Sequence, residues 1–174
     1  MRSADPDPMS NRNFSPLPNS TRKHAAACAA RVVGMPVPQA TTLISSGGPA
    51  TKVFDSITAT QAMTVEAWVI PSNTTQDGPA RIVTLSEDPY LRNFTLGQDD
   101  RKLIGRLRTT ATSLNGLPPL ETDNATAEKK LMHIVYTRAT DGATRLYVDG
   151  QMRANGATGG DLSNWNDAYR LALD

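Results

Sequence analysis

Two Asp-Gly pairs, Asp141-Gly142 and Asp149-Gly150, sit eight positions apart within LMHIVYTRATDGATRLYVDGQMR, residues 131–153. Asp-Gly tolerates the positive φ angles of a two-residue type I′ turn, whose twist matches that of two antiparallel strands. Each pair is flanked by β-branched, aromatic and aliphatic residues, so the segment predicts a three-stranded meander over 131–138, 143–148 and 151–154. Alternation then assigns faces. Ile134 and Tyr136 share one side, as do Leu146 and Val148, while Arg145, Tyr147 and Asp149 point the other way. One face is built for burial.

The rest of the chain repeats this pattern of short strands and turn residues. Met63–Ile70 alternates, with Val65, Ala67 and Val69 on one face and Thr64, Glu66, Trp68 and Ile70 on the other. Strands are also expected at 42–45, 81–86, 93–97, 103–109 and 169–173, with 93–97 and 103–109 paired as a hairpin. Lys52–Phe54 reads as a brief strand or bend, and 155–166 as a Gly-rich loop. Turn signals every 8–15 residues and no long helical period define an all-β antiparallel sandwich. It is expected to span 41–174. Residues 1–40 hold prolines at 6, 8, 16, 18, 36 and 38 and little apolar pattern. Such a composition buries too little surface to offset its ordering entropy, so this segment is expected to be a disordered or partly helical arm.

Composition excludes several classes. A net charge of +1, from 18 basic and 17 acidic residues, argues against a nucleic-acid binder. Cys28 alone allows no intrachain disulfide, and with two histidines it makes a structural zinc site improbable. No apolar run reaches the length of a membrane span. Arg22-Lys23-His24 before Ala25–Ala30 mimics the start of a signal peptide. Too few apolar residues precede Cys28, however, and Arg31 interrupts the run, so an Ala-rich helix or arm is the expectation.

At Thr64-Val-Glu-Ala-Trp-Val-Ile-Pro71, His133-Ile-Val-Tyr-Thr137 and Arg145-Leu-Tyr-Val-Asp-Gly150 the sequence resembles the laminin G-like domains of the concanavalin A-like lectin/glucanase superfamily. Gly78–Ser86, Arg92–Gln98 and Arg106–Thr110 are similar to a bacterial subgroup. The resemblance covers residues 41–174 and implies a jelly-roll sandwich. It departs from the family pattern at Leu131-Met132, where a Trp is usual before the histidine. The pattern also continues past Asp174, so a partial domain with a central strand left at an edge is expected.

The resemblance implies a non-catalytic module recognising carbohydrate or a protein surface, within a larger extracellular or envelope protein. The alternative is a structural spacer without a ligand. A hydrolase is a distant third: related glucanases need two carboxylates about 5 Å apart. Glu121 and Asp123 stand in a loop, and Glu66 is alone on its strand. For ligand contact the candidates are Trp165, in a loop where its ring could stack on a sugar, then Tyr90, Asn93 and Arg106. Trp68, mid-strand, is expected in the core, and His133 reads as a strand residue rather than a base. Arg101, Lys102, Arg106 and Arg108 form either a basic stripe for an acidic glycan or the solvated face of a strand. The resemblance also makes calcium a candidate cofactor. Asp99, Asp100 and Asp161 are its candidate ligands, with Asp77 and Asp167 behind them, although no continuous calcium loop is present. Oligomeric state is not legible.

Overall fold

The computed structural model describes residues 43–76 and 78–173. The expected N-terminal arm and Asp77 lie outside that range. In chain order the elements are β1 (Ile44–Ser45), α1 (Thr51–Thr60), β2 (Met63–Val69), β3 (Ala80–Ser86), β4 (Arg92–Asp99) and β5 (Lys102–Leu107). They continue with β6 (Leu120–Glu121), β7 (Met132–Arg138), β8 (Ala143–Val148), β9 (Gln151–Ala157) and β10 (Arg170–Leu173). These strands build two antiparallel sheets, one ordered β1-β10-β3-β4-β5-β6 and the other β2-β7-β8-β9.

The meander forms as the turns dictate. β7 pairs with β8 from Ile134↔Val148 to Arg138↔Thr144, and β8 pairs with β9. Asp149 and Gly150 both take positive φ, as a type I′ turn requires, whereas at the first reversal only Gly142 does, so that turn is not the expected type I′ but a longer one in which Gly142 N–H donates to the Ala139 carbonyl. β4 and β5 make the expected hairpin, down to Asp99↔Lys102. β10 is paired on both sides, with β3 and with the two-residue β1. The small sheet has two seven-residue edges, β2 and β9. β9 carries polar residues along an exposed backbone, which discourages edge pairing.

Two local expectations are corrected. Lys52–Phe54 belongs to a ten-residue helix. Val53, Phe54 and Ile57 form an i, i+1, i+4 stripe that a three-residue window cannot show. Ile57 is buried, and Val53 and Ile57 border a small apolar void with Met63, Val65, Phe94 and Trp165. Gln61 ends the helix in a left-handed conformation. The second correction concerns 155–157, which extend β9 through Arg145↔Asn155 and Ala143↔Ala157 rather than opening the loop.

The core lies between the sheets. Val65, Ala67, Met132, Ile134, Tyr136, Leu146 and Val148 face Val83, Leu85, Phe94, Leu96, Leu103 and Leu107. Phe94 and Tyr136 meet at 5.1 Å between ring centroids. Gly105 lets the sheets close here: a Cβ at that position would stand 2.5 Å from Cε2 of Tyr136. The segment after β9 folds over one end of this core, burying Leu162, Trp165 and Tyr169.

Candidate functional site

Alternation along β2 and β7 sends one set of residues inward, and the remainder forms an open face on the four-stranded sheet. Thr64, Glu66 and Trp68 of β2 lie beside His133, Val135 and Thr137 of β7. Register places Trp68 opposite His133, Glu66 opposite Val135, Val135 opposite Tyr147, and Tyr147 opposite Met152. Exposed Ile70 and Leu131 extend the apolar border beyond Trp68 and His133.

At its centre the indole of Trp68 and the imidazole of His133 stack, with centroids 4.3 Å apart and planes inclined by 17°. His133 Nε2 lies 2.8 Å from Glu66 Oε1, which fixes the ring in plane. The second Asp-Gly turn holds the strand beneath: His133 N–H donates to Asp149 Oδ1 at 2.9 Å, and Asp149 N–H donates to the His133 carbonyl at 2.8 Å. Trp68 nevertheless keeps 37% of its surface exposed. The result is a rigid aromatic plate with a carboxylate at its margin, able to receive an apolar ring face and hydrogen-bond its hydroxyls.

This corrects the expectation for Trp68, which is on the open face and not in the core. Glu66, alone on its own strand, finds its partner across the ladder. Strand alternation had put Trp68 and Glu66 on one face. The missing information was the pairing of β2 with β7, about 65 residues away.

The residues singled out from sequence fall elsewhere. Trp165 is only 6% exposed and its indole N–H donates to the Arg108 carbonyl at 2.7 Å, so it is a plug for the sandwich end and offers no open ring face. Asn93 is fully buried; its Nδ2 donates to the Asn166 carbonyl at 2.7 Å and its Oδ1 accepts from Asn166 N–H at 2.9 Å. Both are therefore committed to closing the sandwich end, Asn93 through Asn166, the neighbour of Trp165. Tyr90 is 72% exposed on the turn between β3 and β4, held there by Asp88 Oδ1, which accepts from Tyr90 and Leu91 N–H. Arg106 is on the outward face of the large sheet, its Nη1 donating to Asn115 Oδ1 at 3.3 Å.

The calcium candidates do not fit a shared ion. Asp99 and Asp100 precede β5, whereas Asp161 bonds near Thr110 beyond the other end of that strand, a separation of about 20 Å for six extended residues. Among the described residues no three acidic or metal-ligating side chains converge. Asp161 Oδ1 is already engaged by the N–H and hydroxyl of Ser163, at 2.9 and 2.6 Å.

Those bonds carry a pH prediction. Hydrogen bonds from the Ser163 hydroxyl and then its N–H hold the Asp161 carboxyl below the ordinary aspartate range, and the N–H groups of Tyr90 and Leu91 do the same for Asp88. The unfolded chain thus takes up protons first as pH falls. The stabilisation is complete above about pH 4 and is lost as pH drops through the lower folded-state values. Urea midpoints measured from pH 5 downward should fall more gently for Asp88→Asn/Asp161→Asn than for the parent. Parallel curves would refute this.

The packed pair of antiparallel sheets is a concanavalin A-like β-sandwich. The chain matches the family model Laminin_G_3, of the concanavalin A-like lectin/glucanases superfamily, over residues 45–173, and it belongs to that family. No curated protein matches it in sequence. Among solved structures it is similar to the binding domain of botulinum neurotoxin serotype C1, at 9% identity and a TM-score of 0.53, covering 76% of this chain and 33% of that one. A second similarity, at 11% identity and a TM-score of 0.51, covers 65% of this chain and 27% of the other. That structure is of botulinum neurotoxin type C, whose cell entry depends on interaction with two ganglioside molecules. The chain spans a third or less of these chains, and at such identities the likeness is one of fold.

Proposed function

We propose that this chain is a non-catalytic recognition module that binds carbohydrate on the open face of its four-stranded sheet. The module comprises residues 41–174 behind the N-terminal arm and works within a larger extracellular or envelope protein. One observation carries the reading: Trp68 is half-exposed yet locked flat against His133, with Glu66 at the edge. A preordered plate loses little entropy on receiving a sugar ring. Glu66 has an imidazole for its partner and not a second carboxylic acid, so the pair used in retaining glycoside hydrolysis is not what faces the ligand. The ganglioside contact of the neurotoxin relative supports the class of ligand.

Glycan-array screening followed by calorimetry tests this. Trp68→Ala is expected to weaken the best glycan roughly thirtyfold or more. Its stability should fall by only about 0.5–1.5 kcal/mol, the worth of the lost aromatic stack, so the fold survives. No binding of any glycan by the parent would leave the spacer reading, and unaltered binding by Trp68→Ala would remove this face as the site.

A further inference from the structure

The outward face of the large sheet carries a different chemistry. Alternation turns Thr84 and Ser86 of β3, Thr95 of β4, Arg106 of β5 and Ala172 of β10 to this side, where Thr84, Ser86 and Thr95 are nevertheless buried. Arg170 lies opposite Ser86, as does Arg92 from the other side. A cleft of about 180 Å³ opens over this face, with Thr84, Ser86 and Ala172 as its floor and Arg81, Arg170, Glu87, Leu43 and Ser45 as its walls. Thr84 and Ser86 put hydroxyls in this floor; Thr84 Oγ1 stands 3.1 Å from Ser86 Oγ, and beneath it 2.6 Å from the buried Thr95 Oγ1 and 3.1 Å from the Phe94 carbonyl oxygen. Behind it Arg92 Nη1 donates to Thr95 Oγ1 at 3.0 Å, and Nη2 donates to the Pro89 carbonyl.

Arg92 is the anomaly. It is 2% exposed, and among the described residues it forms no ion pair. Its buried Nε and that of Arg106 lack hydrogen-bond partners there. Burial first, and then the charges of Arg106 and Arg81, push its guanidinium down to about 10. Arg138, equally buried, is treated otherwise. Its Nε is also unpaired and burial likewise pushes its guanidinium down, but its terminal nitrogens meet the carbonyls of Gln61, Ala139 and Gly160, and Tyr136, Asp141 and Asp161 favour its charge where arginines oppose that of Arg92. Around Arg92 three further arginines, Arg81, Arg106 and Arg170, stand against Glu87 and Asp88, and the Asp88 carboxylate already accepts two backbone N–H bonds. A buried cation among like charges is costly unless an anion joins it.

We infer that the cleft over Thr84 and Ser86 binds an oxyanion, a sulfate, phosphate or carboxylate group, held by Arg81 and Arg170 over the hydroxyl floor with Arg92 and Arg106 supplying field from behind. Guanidinium forks and hydroxyl donors are the groups that recognise such anions. At about 180 Å³ the cleft has room for the anion and several waters. It lies on the sheet face remote from Trp68 and stands whether or not that plate binds sugar.

The test is calorimetry on the full chain at low ionic strength, with sodium sulfate and with a heparin-derived hexasaccharide and its desulfated counterpart. Saturable binding of sulfate or of the sulfated hexasaccharide, weakened about tenfold or more by Arg170→Gln and by Arg81→Gln, supports the site. Lys129→Gln removes the same charge from an exposed loop and should leave affinity unchanged. Preference for the hexasaccharide over its desulfated form assigns the anion to a glycan, whereas binding of inorganic sulfate alone assigns it to a free ion. Arg170 and Arg81 are at the surface, so circular dichroism of both variants should match the parent. The proposal is overturned if neither anionic probe saturates, or if Lys129→Gln weakens binding as much as the cleft variants do.

Discussion

Trp165→Ala is expected to lower the free energy of unfolding by about 3–5 kcal/mol, the range for removing a buried indole. The ring lies with Leu162 and Tyr169 in the closure over the sandwich end, and it lines the wall of the apolar void with Ile57 and Phe94. Little around it can collapse into the space. Val53 and Ile57 are fixed on a helix, and the 158–169 segment is tied down by Asn93 with Asn166, Asn164 with the Thr109 carbonyl, and Thr109 with the Gly159 carbonyl. The bond from Nε1 to the Arg108 carbonyl is lost as well, leaving that acceptor to water or to nothing. Urea denaturation followed by far-UV circular dichroism reads the loss. Trp165→Phe should recover most of it, since the bulk returns and only the indole N–H bond is missing. A change under 0.5 kcal/mol for Trp165→Ala would show that the closure does not depend on its plug.

Arg138→Met should cost about 3 kcal/mol, although methionine matches much of the arginine stem. Arg138 ends β7 and reaches three segments at once. Nη1 donates to the Gln61 carbonyl at the end of α1 and to the Ala139 carbonyl, while Nη2 donates to the Gly160 carbonyl at 2.9 Å. Gln61 completes the junction by accepting the Leu162 N–H on Oε1 at 2.8 Å. Removing the fork leaves carbonyls in a dry place, where each unsatisfied group costs about 1–3 kcal/mol. Hydrogen exchange should show Leu162 and the last turn of α1 losing protection before the β7–β8 ladder does. Arg138→Lys should recover only part of the stability, because one ammonium cannot span carbonyls set for a planar fork. Uniform loss of protection across the sheets would contradict a local junction.

Both residues show how far the chain could be read without its fold. Trp165 was legible as an unusual residue in a loop of Asp, Ser and Asn, but whether a loop tryptophan faces water or the core depends on what that loop covers. Arg138 gave no local signal at all, because its acceptors come from residues 61 and 160. The open-face plate was half legible. Alternation set Trp68 and Glu66 on one side of their strand and His133 opposite Ile134 and Tyr136 on its own, yet only the pairing of the two strands joins them. α1 was hidden for a different reason. Its β-branched residues suit strands, and its apolar stripe becomes visible only over a ten-residue window.

The amino-acid order by itself determined the reversals at Asp141-Gly142 and Asp149-Gly150, the period-two strands, and hence the choice of a layered antiparallel body, because turn geometry and side-chain alternation act between near neighbours. The assembled fold decided which aromatic ring stays in water, which arginines are buried, and which acidic residues stay apart. Those outcomes are set largely by contacts between segments distant in sequence, such as β2 with β7, whose register is chosen by the shared core rather than by either segment alone.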